Sequence, residues 1–163
     1  MPTLGLIVNP IAGIGGRLAL KGSDDPEAVA RAVRGGAEPL APARARRALG
    51  VVRTRAPGVT VIAAAGEMGA DVATELGLPV TALDHAPAAP TTAGDTRAAA
   101  RELLARDVDL LLFAGGDGTA RDVVSVVGTD VPVLGVPSGV KMRSAVFGTT
   151  PEAAGDAAAR FLA

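Results

Sequence analysis

Residues 110–124 constrain the fold most strongly. They begin with a continuous apolar run, pass through Gly115-Gly116-Asp117-Gly118-Thr119, and continue in a pattern typical of a helix. The apolar run predicts a strand buried on both faces, as in a parallel sheet, and the glycines predict a tight turn into the helix. Because a helix begins with free N–H groups and partial positive charge, this turn can bind phosphate.

Asp117 is the unexpected residue of this turn. A site that binds only phosphate would not favour an anion, so Asp117 indicates a metal contact or a proton acceptor. The alternative is an aspartate that caps the following helix. The residues by themselves favour the two interpretations about equally.

The rest of the chain alternates between strand and helix patterns. Strands are predicted at 4–8, 59–63, 80–83, 108–113 and 131–135. Helices are predicted at 27–34, 43–52, 70–76, 119–127 and 144–147, from a cap at Asp95 or Thr96 to about Arg106, and from a cap at Thr150 to the end. This order predicts an α/β fold, a Rossmann-like three-layer α/β/α arrangement with a mainly parallel sheet and right-handed crossovers. Residues 1–163 are expected to form a single domain.

Glycine-containing loops follow the first, fourth and fifth predicted strands. Ligands of such sheets bind beyond the carboxyl ends of the strands, so these loops are expected to converge on one nucleotide. In the first and third loops the candidate phosphate or nucleotide contacts are Gly13, Gly15, Gly16, Ser138, Gly139 and Lys141. The alternatives are a surface turn that needs positive φ for the glycines and a solvated side chain for Lys141.

Several other polar residues have structural interpretations. Asp122 is a weak candidate for a metal ligand, and a place in the first helical turn is favoured over it. His85 has no Ser, Cys or paired carboxylate at a diagnostic spacing and is interpreted as a loop histidine. Arg44, Arg46 and Arg47 are predicted to lie on a solvated helix face.

Composition excludes several classes of function. The chain has no Cys and one His, which excludes disulfides and thiolate metal sites and makes a zinc site unfavourable. A net charge of −1 favours neither nucleic acid nor an anionic membrane as a partner. No apolar run reaches membrane-spanning length, so a cytoplasmic protein is expected, with a homo-oligomer possible.

Four segments carry a family resemblance: residues 9–17 (NPIAGIGGR), 21–24 (KGSD), 115–122 (GGDGTARD) and 135–142 (GVPSGVKM). Together they resemble the ATP-NAD kinase family of the NAD kinase and diacylglycerol kinase superfamily, in particular the branch that includes the acetoin-catabolism X proteins. The resemblance extends over nearly the whole chain and implies the family's N-terminal nucleotide-binding domain.

The resemblance implies an ATP-dependent kinase that phosphorylates NAD to NADP, with ATP and Mg²⁺ as cofactors and NAD as substrate. It implies that Asp117 is the base or orienting group for the acceptor 2′-hydroxyl. It places Asn9 at the first nucleotide loop. The implied phosphate contacts are Gly115, Gly116, Gly118 and Thr119.

The chain departs from the family pattern at three places. Arg121 and Asp122 stand where the superfamily's lipid kinases carry Asn-Glu, which disfavours a lipid kinase. Residues 137–141 replace an Asn-rich segment of typical NAD kinases, and the family's β-rich C-terminal domain is expected to be absent. The alternatives are therefore a non-catalytic nucleotide-binding module or truncated fragment, and a kinase for another small hydroxylated acceptor.

Overall fold

Five parallel strands form one sheet in the computed structural model, which describes residues 1–14, 26–36, 38–138 and 142–163. The strands are β1 (Thr3–Val8), β2 (Thr60–Ala63), β3 (Val80–Ala82), β4 (Leu110–Gly115) and β5 (Val133–Pro137). Their order across the sheet is β3-β2-β1-β4-β5. The predicted α/β fold with a parallel sheet is thus confirmed.

Helices cover both faces of this sheet. They are α1 (Pro26–Arg34), α2 (Ala41–Arg55), α3 (Ala70–Glu75), α4 (Ala93–Ala105), α5 (Asp117–Val127) and α6 (Pro151–Leu162). Helices α2, α3 and α6 pack on one face, and α4 and α5 pack on the other. The predicted three-layer arrangement follows from this packing.

The strand sequences explain how both faces are filled. In β4, Leu110 and Leu112 enter the core beneath α2 and α6, whereas Leu111 and Phe113 enter the core beneath α4 and α5. All four side chains are buried. Burial of each is worth about 1.5–3 kcal/mol relative to exposure. A strand buried on both faces needs a continuous apolar run, which is what identified β4 in the sequence.

Helix positions differ from the predictions at two functional junctions. Helix α5 begins at Asp117, two residues before the predicted start, so Asp117 is its first residue and not part of a separate turn. Helix α4 is capped by Thr92, not by Asp95 or Thr96: Thr92 and Asp95 form a capping box with Asp95 at the third helical position. The expected Thr150 cap of α6 is confirmed by a 3.0 Å bond from the Ala153 N–H.

The predicted helix at 144–147 is wrong. These residues form a turn that leads into a parallel bridge between Phe147 and Gly135 of β5. The Gly135 N–H donates to the Val146 carbonyl at 2.8 Å, and the Gly148 N–H donates to the Gly135 carbonyl at 3.0 Å. Pairing with the sheet edge therefore satisfies backbone groups that a short helix would have left open.

The described part of the chain contains no helix that is both long enough and apolar enough to cross a membrane.

Candidate functional site

The carboxyl ends of β1, β4 and β5 lie side by side because these strands are neighbours in the sheet. From β1 the chain proceeds outward to β2 and β3, then returns to pair β4 with the other side of β1. The strand order therefore reverses between β1 and β4. In open α/β sheets this reversal creates the crevice in which ligands bind.

Asn9 joins the end of β1 to the start of α5. Its N–H donates to the Ala114 carbonyl at 2.8 Å, and its side-chain Nδ2 donates to Thr119 Oγ1 at 3.0 Å. Its Oδ1 accepts from the Ile11 N–H at 3.2 Å and closes a local turn. The side chain predicted to contact nucleotide thus also holds the first loop against α5.

Gly13 brings the first loop against the third. Its φ of 87° lies in the left-handed region, and an added Cβ would stand 2.4 Å from the Ser138 carbonyl oxygen. Ser138 itself is fully buried, with its Oγ donating to the Val136 carbonyl and its N–H to the Gly115 carbonyl, each at 3.1 Å. The Ser138 hydroxyl therefore donates its proton within the protein.

Gly115 and Thr119 pack tightly inside the motif. A Cβ on Gly115 would lie 2.5 Å from Thr119 Oγ1, so only glycine fits at this position. Thr119 is 4% exposed and its hydroxyl accepts from Asn9, which turns the side chain toward the protein. A phosphate contact of Thr119 would consequently come from its backbone N–H and not from its hydroxyl.

Gly116 is different, because none of the residues that the structure describes requires a glycine there. It is the N-cap of α5, its φ is −104°, and an added Cβ would meet no atom of the described residues within 4 Å. The backbone here borders open space at the positive end of a helix. This is the arrangement in which a ligand can approach the main chain closely.

Asp117 is held by residues that follow β5. Its Oδ1 accepts from the Ser144 N–H at 3.0 Å and from Ser144 Oγ at 2.8 Å, and its Oδ2 accepts from the Arg143 N–H at 2.9 Å. The Arg143 N–H also lies 3.1 Å from Oδ1. The N-cap of α5 is Gly116 and not Asp117, so the helix-capping alternative is wrong.

These contacts keep Asp117 ionised. The hydrogen bond from the Ser144 N–H is the strongest influence and lowers the pKa of the carboxyl below its ordinary value. Partial burial opposes this, and the Arg143 N–H, the Ser144 hydroxyl and the Arg143 charge lower the pKa further. A half-buried anion therefore stands at the first turn of α5, where the helix dipole also favours it.

Three residues at this edge were missed or misplaced by the sequence reasoning. Arg143 and Ser144 were unassigned, since 144–147 was expected to be a helix. Arg44 is not on a solvated face: it is half-buried, and its Nη1 donates to the Pro137 carbonyl at 2.8 Å. No spacing signal links residues 93 positions apart, so only the packing of α2 reveals this contact.

The comparison with known families agrees with this geometry. The family model described as the ATP-NAD kinase N-terminal domain matches residues 4–163, a range that includes all three loops and Asp117. The chain belongs to the ATP-NAD kinase family. The resemblance to the family and to its N-terminal domain is therefore confirmed. No curated protein matches the chain significantly.

The structure brings several of the residues that were predicted to contact nucleotide close together. Asn9, Gly13, Gly115, Thr119 and Ser138 form connected contacts around the crevice, with Gly116 and Asp117 at its α5 side. Four further predicted contacts lie outside the described residues: Gly15, Gly16, Gly139 and Lys141. Gly118 lies in the first turn of α5 between Asp117 and Thr119.

Asp122 points away from this group. Its Oδ1 lies 2.9 Å from Arg97 Nη1 on α4, so its carboxylate belongs to an ion pair between two helices. Within the described residues no three His, Asp or Glu side chains form a cluster that could hold a metal ion.

His85 lies in a loop, as predicted, and the structure pairs it with a carboxylate that no diagnostic sequence spacing had indicated. Its Nε2 lies 2.8 Å from Asp95 Oδ1, and its N–H donates to Glu102 Oε1 at 2.9 Å. The pair lies beyond the end of β3, which is the strand farthest from β5 in the sheet. Arg46 and Arg47 are exposed as predicted, but they pair with Glu75 and Glu152.

Proposed function

We propose that this protein is an ATP-dependent kinase that phosphorylates the 2′-hydroxyl of the adenosine ribose of NAD and so forms NADP. Residues 1–163 would act as one nucleotide-binding domain. The observation that carries the proposal is the position of the Asp117 carboxylate, which lies at the first turn of α5 beside Gly116 and is held there by hydrogen bonds from Arg143 and Ser144. Membership of the ATP-NAD kinase family supports this choice of reaction.

The backbone of the motif is proposed to bind nucleotide phosphates. The first N–H groups of α5 have no acceptor within the helix and share its positive dipole end. Gly115, Gly116, Gly118 and Thr119 would supply this contact. Asn9, Gly13 and Ser138 would shape the adjoining walls, and the sequence places Gly15, Gly16, Gly139 and Lys141 in the same two loops.

Asp117 is proposed to orient the acceptor hydroxyl. Its lowered pKa makes it a weak base, but phosphoryl transfer passes through a loose transition state in which positioning matters more than proton abstraction. Among the described residues, Oδ2 accepts only the Arg143 N–H and keeps capacity for a second donor. The 2′-hydroxyl of the bound acceptor would be that donor.

The reaction balances without any further reactant. The 2′-oxygen of NAD forms a bond to the γ-phosphorus of ATP, and the bond from that phosphorus to the β–γ bridging oxygen breaks. ADP leaves with that oxygen, and the hydroxyl proton passes to solvent. Mg²⁺ bound with ATP would neutralise charge on the phosphates.

The expected partners are small nucleotides, with no nucleic acid or membrane involved. A chain with a net charge of −1 offers no general attraction to polyanions. A cytoplasmic location and a possible homo-oligomer complete the proposal.

The direct test is NADP formation by the purified protein supplied with NAD, ATP and Mg²⁺. We expect NADP, detected with an NADP-specific dehydrogenase, and its loss in Asp117→Ala with ATP binding retained. The absence of NADP from a protein that binds both ATP and NAD would contradict the proposal. A parallel reaction with polyphosphate identifies the phosphoryl donor.

One observation favours a second candidate, a nucleotide-binding module without catalysis. The carboxylate of Asp117 already accepts three donor groups from Arg143 and Ser144, as a purely structural carboxylate would. Calorimetry with ATP, NAD and NADP distinguishes the two: tight binding with no turnover supports the module. A panel of other hydroxylated acceptors with γ-labelled ATP tests for a different kinase substrate.

A further inference from the structure

The 142–148 segment is anchored at its far end independently of Asp117. Its backbone bonds to Gly135 attach it to the edge of β5. Phe147 packs edge-to-face on Phe113, with ring centroids 5.4 Å apart, in space that exists because Gly135 has no side chain. This aromatic contact and the paired backbone are sufficient to fix the course of the segment.

At its near end the segment places three donor groups on one carboxylate. Ser144 directs both its N–H and its hydroxyl to Oδ1 of Asp117, and Arg143 directs its N–H mainly to Oδ2. These donors lie 26 and 27 residues along the chain from Asp117. The contact therefore joins the segment after β5 to the first turn of α5, which follows the neighbouring strand β4.

The bonds are distributed unequally over the two oxygens. Oδ1 carries two strong donors from Ser144, whereas Oδ2 has one among the described residues. A carboxylate oxygen accepts about two hydrogen bonds in the plane of the group. Fixing Oδ1 thus determines the rotation of the carboxylate and leaves the free acceptor position on Oδ2.

Stability of the fold gives no evident reason for the Ser144 hydroxyl. Helix α5 takes no side-chain cap from Asp117, and the 142–148 segment is already held by Gly135 and Phe147. The hydroxyl adds a second bond to an oxygen that the Ser144 N–H already contacts. Its specific effect is to restrict the orientation of a half-buried anion beside open space.

We propose that Ser144 is a positioning residue for phosphoryl transfer, whose hydroxyl fixes Oδ1 of Asp117 so that Oδ2 receives the acceptor hydroxyl. This inference rests on the proposed kinase function. Ser144 touches no reacting atom itself and acts through Asp117. Among the described residues, the charge that acts on Asp117 is that of Arg143 on the same segment.

The kinetic test compares Ser144→Ala with Ser144→Thr, which keeps a hydroxyl. Ser125→Ala is the matched control, because Ser125 donates to the Asp122 carbonyl on the exposed side of α5. We expect Ser144→Ala to lower kcat about 10- to 100-fold, the effect of losing one hydrogen bond to a charged group. The KM for NAD should change less than about threefold, since the bond orients the Asp117 carboxylate for the reaction and does not contribute to the binding of NAD in the ground state.

Rescue separates positioning from a merely structural role. Ser144→Thr should recover kcat to within about threefold of the original protein, and Ser125→Ala should leave it unchanged. Equal losses in Ser144→Thr and Ser144→Ala would overturn the proposal, as would an unchanged or increased kcat in Ser144→Ala. An increased kcat would mean that the segment restrains Asp117 instead of positioning it.

A measurement that needs no catalytic turnover distinguishes failure of the Ser144 role from failure of the proposed kinase function. Carboxyl ¹³C NMR should show a higher pKa for Asp117 in Ser144→Ala than in the original protein or in Ser125→Ala. If the original protein forms no product from any acceptor, the kinase function and this role fall together. If it forms NADP while Ser144→Ala changes neither kcat nor the Asp117 pKa, only the role of Ser144 is overturned.

Discussion

Two aspartates occupy similar places in the fold and have very different surroundings. Asp95 and Asp117 each lie in the first turn of a helix at the carboxyl edge of the parallel sheet. Asp95 is 7% exposed at its side chain, and its carboxylate accepts from His85, Ala88 and Thr92, all within ten residues. The Asp95 carboxylate therefore closes the loop before α4 by accepting hydrogen bonds from residues of that loop.

Asp117 is held from a distance and remains half-exposed. Its donors come from Arg143 and Ser144, and the neighbouring Gly116 borders open space. Burial is the largest influence on the pKa of Asp95 and raises it, but the bonds from His85, Thr92 and Ala88 outweigh burial. For Asp117 the bond from Ser144 is the largest influence. The carboxylate of Asp95 is thus enclosed by donors of its own loop, whereas that of Asp117 is held by a remote segment and stays partly exposed.

The largest expected effect separates the two carboxylates by function. Asp117→Asn should lower kcat for NADP formation about 10²-fold or more, because it replaces the charged acceptor that positions the hydroxyl with a neutral amide. Asp95→Asn should leave kcat per folded molecule unchanged and lower the free energy of unfolding by about 1–3 kcal/mol, because its amide group faces buried donors. Steady-state kinetics and urea unfolding of both variants check this. Equal losses of kcat in the two variants would contradict the distinction.

The glycines beside the two carboxylates should also differ. In Gly115→Ala the new Cβ would lie 2.5 Å from Thr119 Oγ1, and we expect the free energy of unfolding to fall by about 1–3 kcal/mol. In Gly94→Ala the Cβ would lie 3.4 Å from Thr92 Oγ1, an ordinary contact. Since alanine favours a helix over glycine, that variant should be neutral or stabilised by up to about 1 kcal/mol. Thermal and urea unfolding measure both, and a destabilised Gly94→Ala would remove the contrast.

Gly116 allows binding to be tested apart from stability. A Cβ at this position would meet no atom of the described part of the chain, so Gly116→Ala should change the free energy of unfolding by no more than about 1 kcal/mol. If phosphate approaches this backbone, the added methyl group should weaken ATP binding about tenfold, or about 1.4 kcal/mol. Calorimetry gives the dissociation constant. Unchanged ATP affinity would place the phosphates elsewhere.

Acid should destabilise the folded protein through both carboxylates. Each has a folded-state pKa below its ordinary value, so its stabilising contribution is complete above the unfolded pKa of about 3.9 and is lost as pH falls through the folded pKa. Asp95→Asn should therefore show a flatter decline of unfolding free energy below about pH 4 than the original protein. Urea unfolding at pH 5, 4 and 3 checks this, and parallel curves would indicate that Asp95 is not linked to acid stability.

The sequence predicted what depends on local pattern. Five strands, the glycine turn and the three loops at one sheet edge follow from apolar runs and glycine positions. The helix predicted at 144–147 failed because pairing with Gly135 outweighs a local helical preference. The contacts of Ser144 with Asp117 and of Arg44 with the Pro137 carbonyl join residues 27 and 93 positions apart. Such side-chain contacts depend on how the elements pack, which no single segment encodes.

The central claim is that Asp117 accepts a ligand hydroxyl and Asp95 does not. Carboxyl ¹³C NMR of the protein, titrated with NAD in the presence of a non-hydrolysable ATP analogue and Mg²⁺, tests it most directly. We expect the Asp117 resonance to shift as NAD saturates the site, while the Asp95 resonance stays in place. An Asp117 resonance that does not move at saturating NAD, or one that moves no more than that of Asp95, would contradict the account.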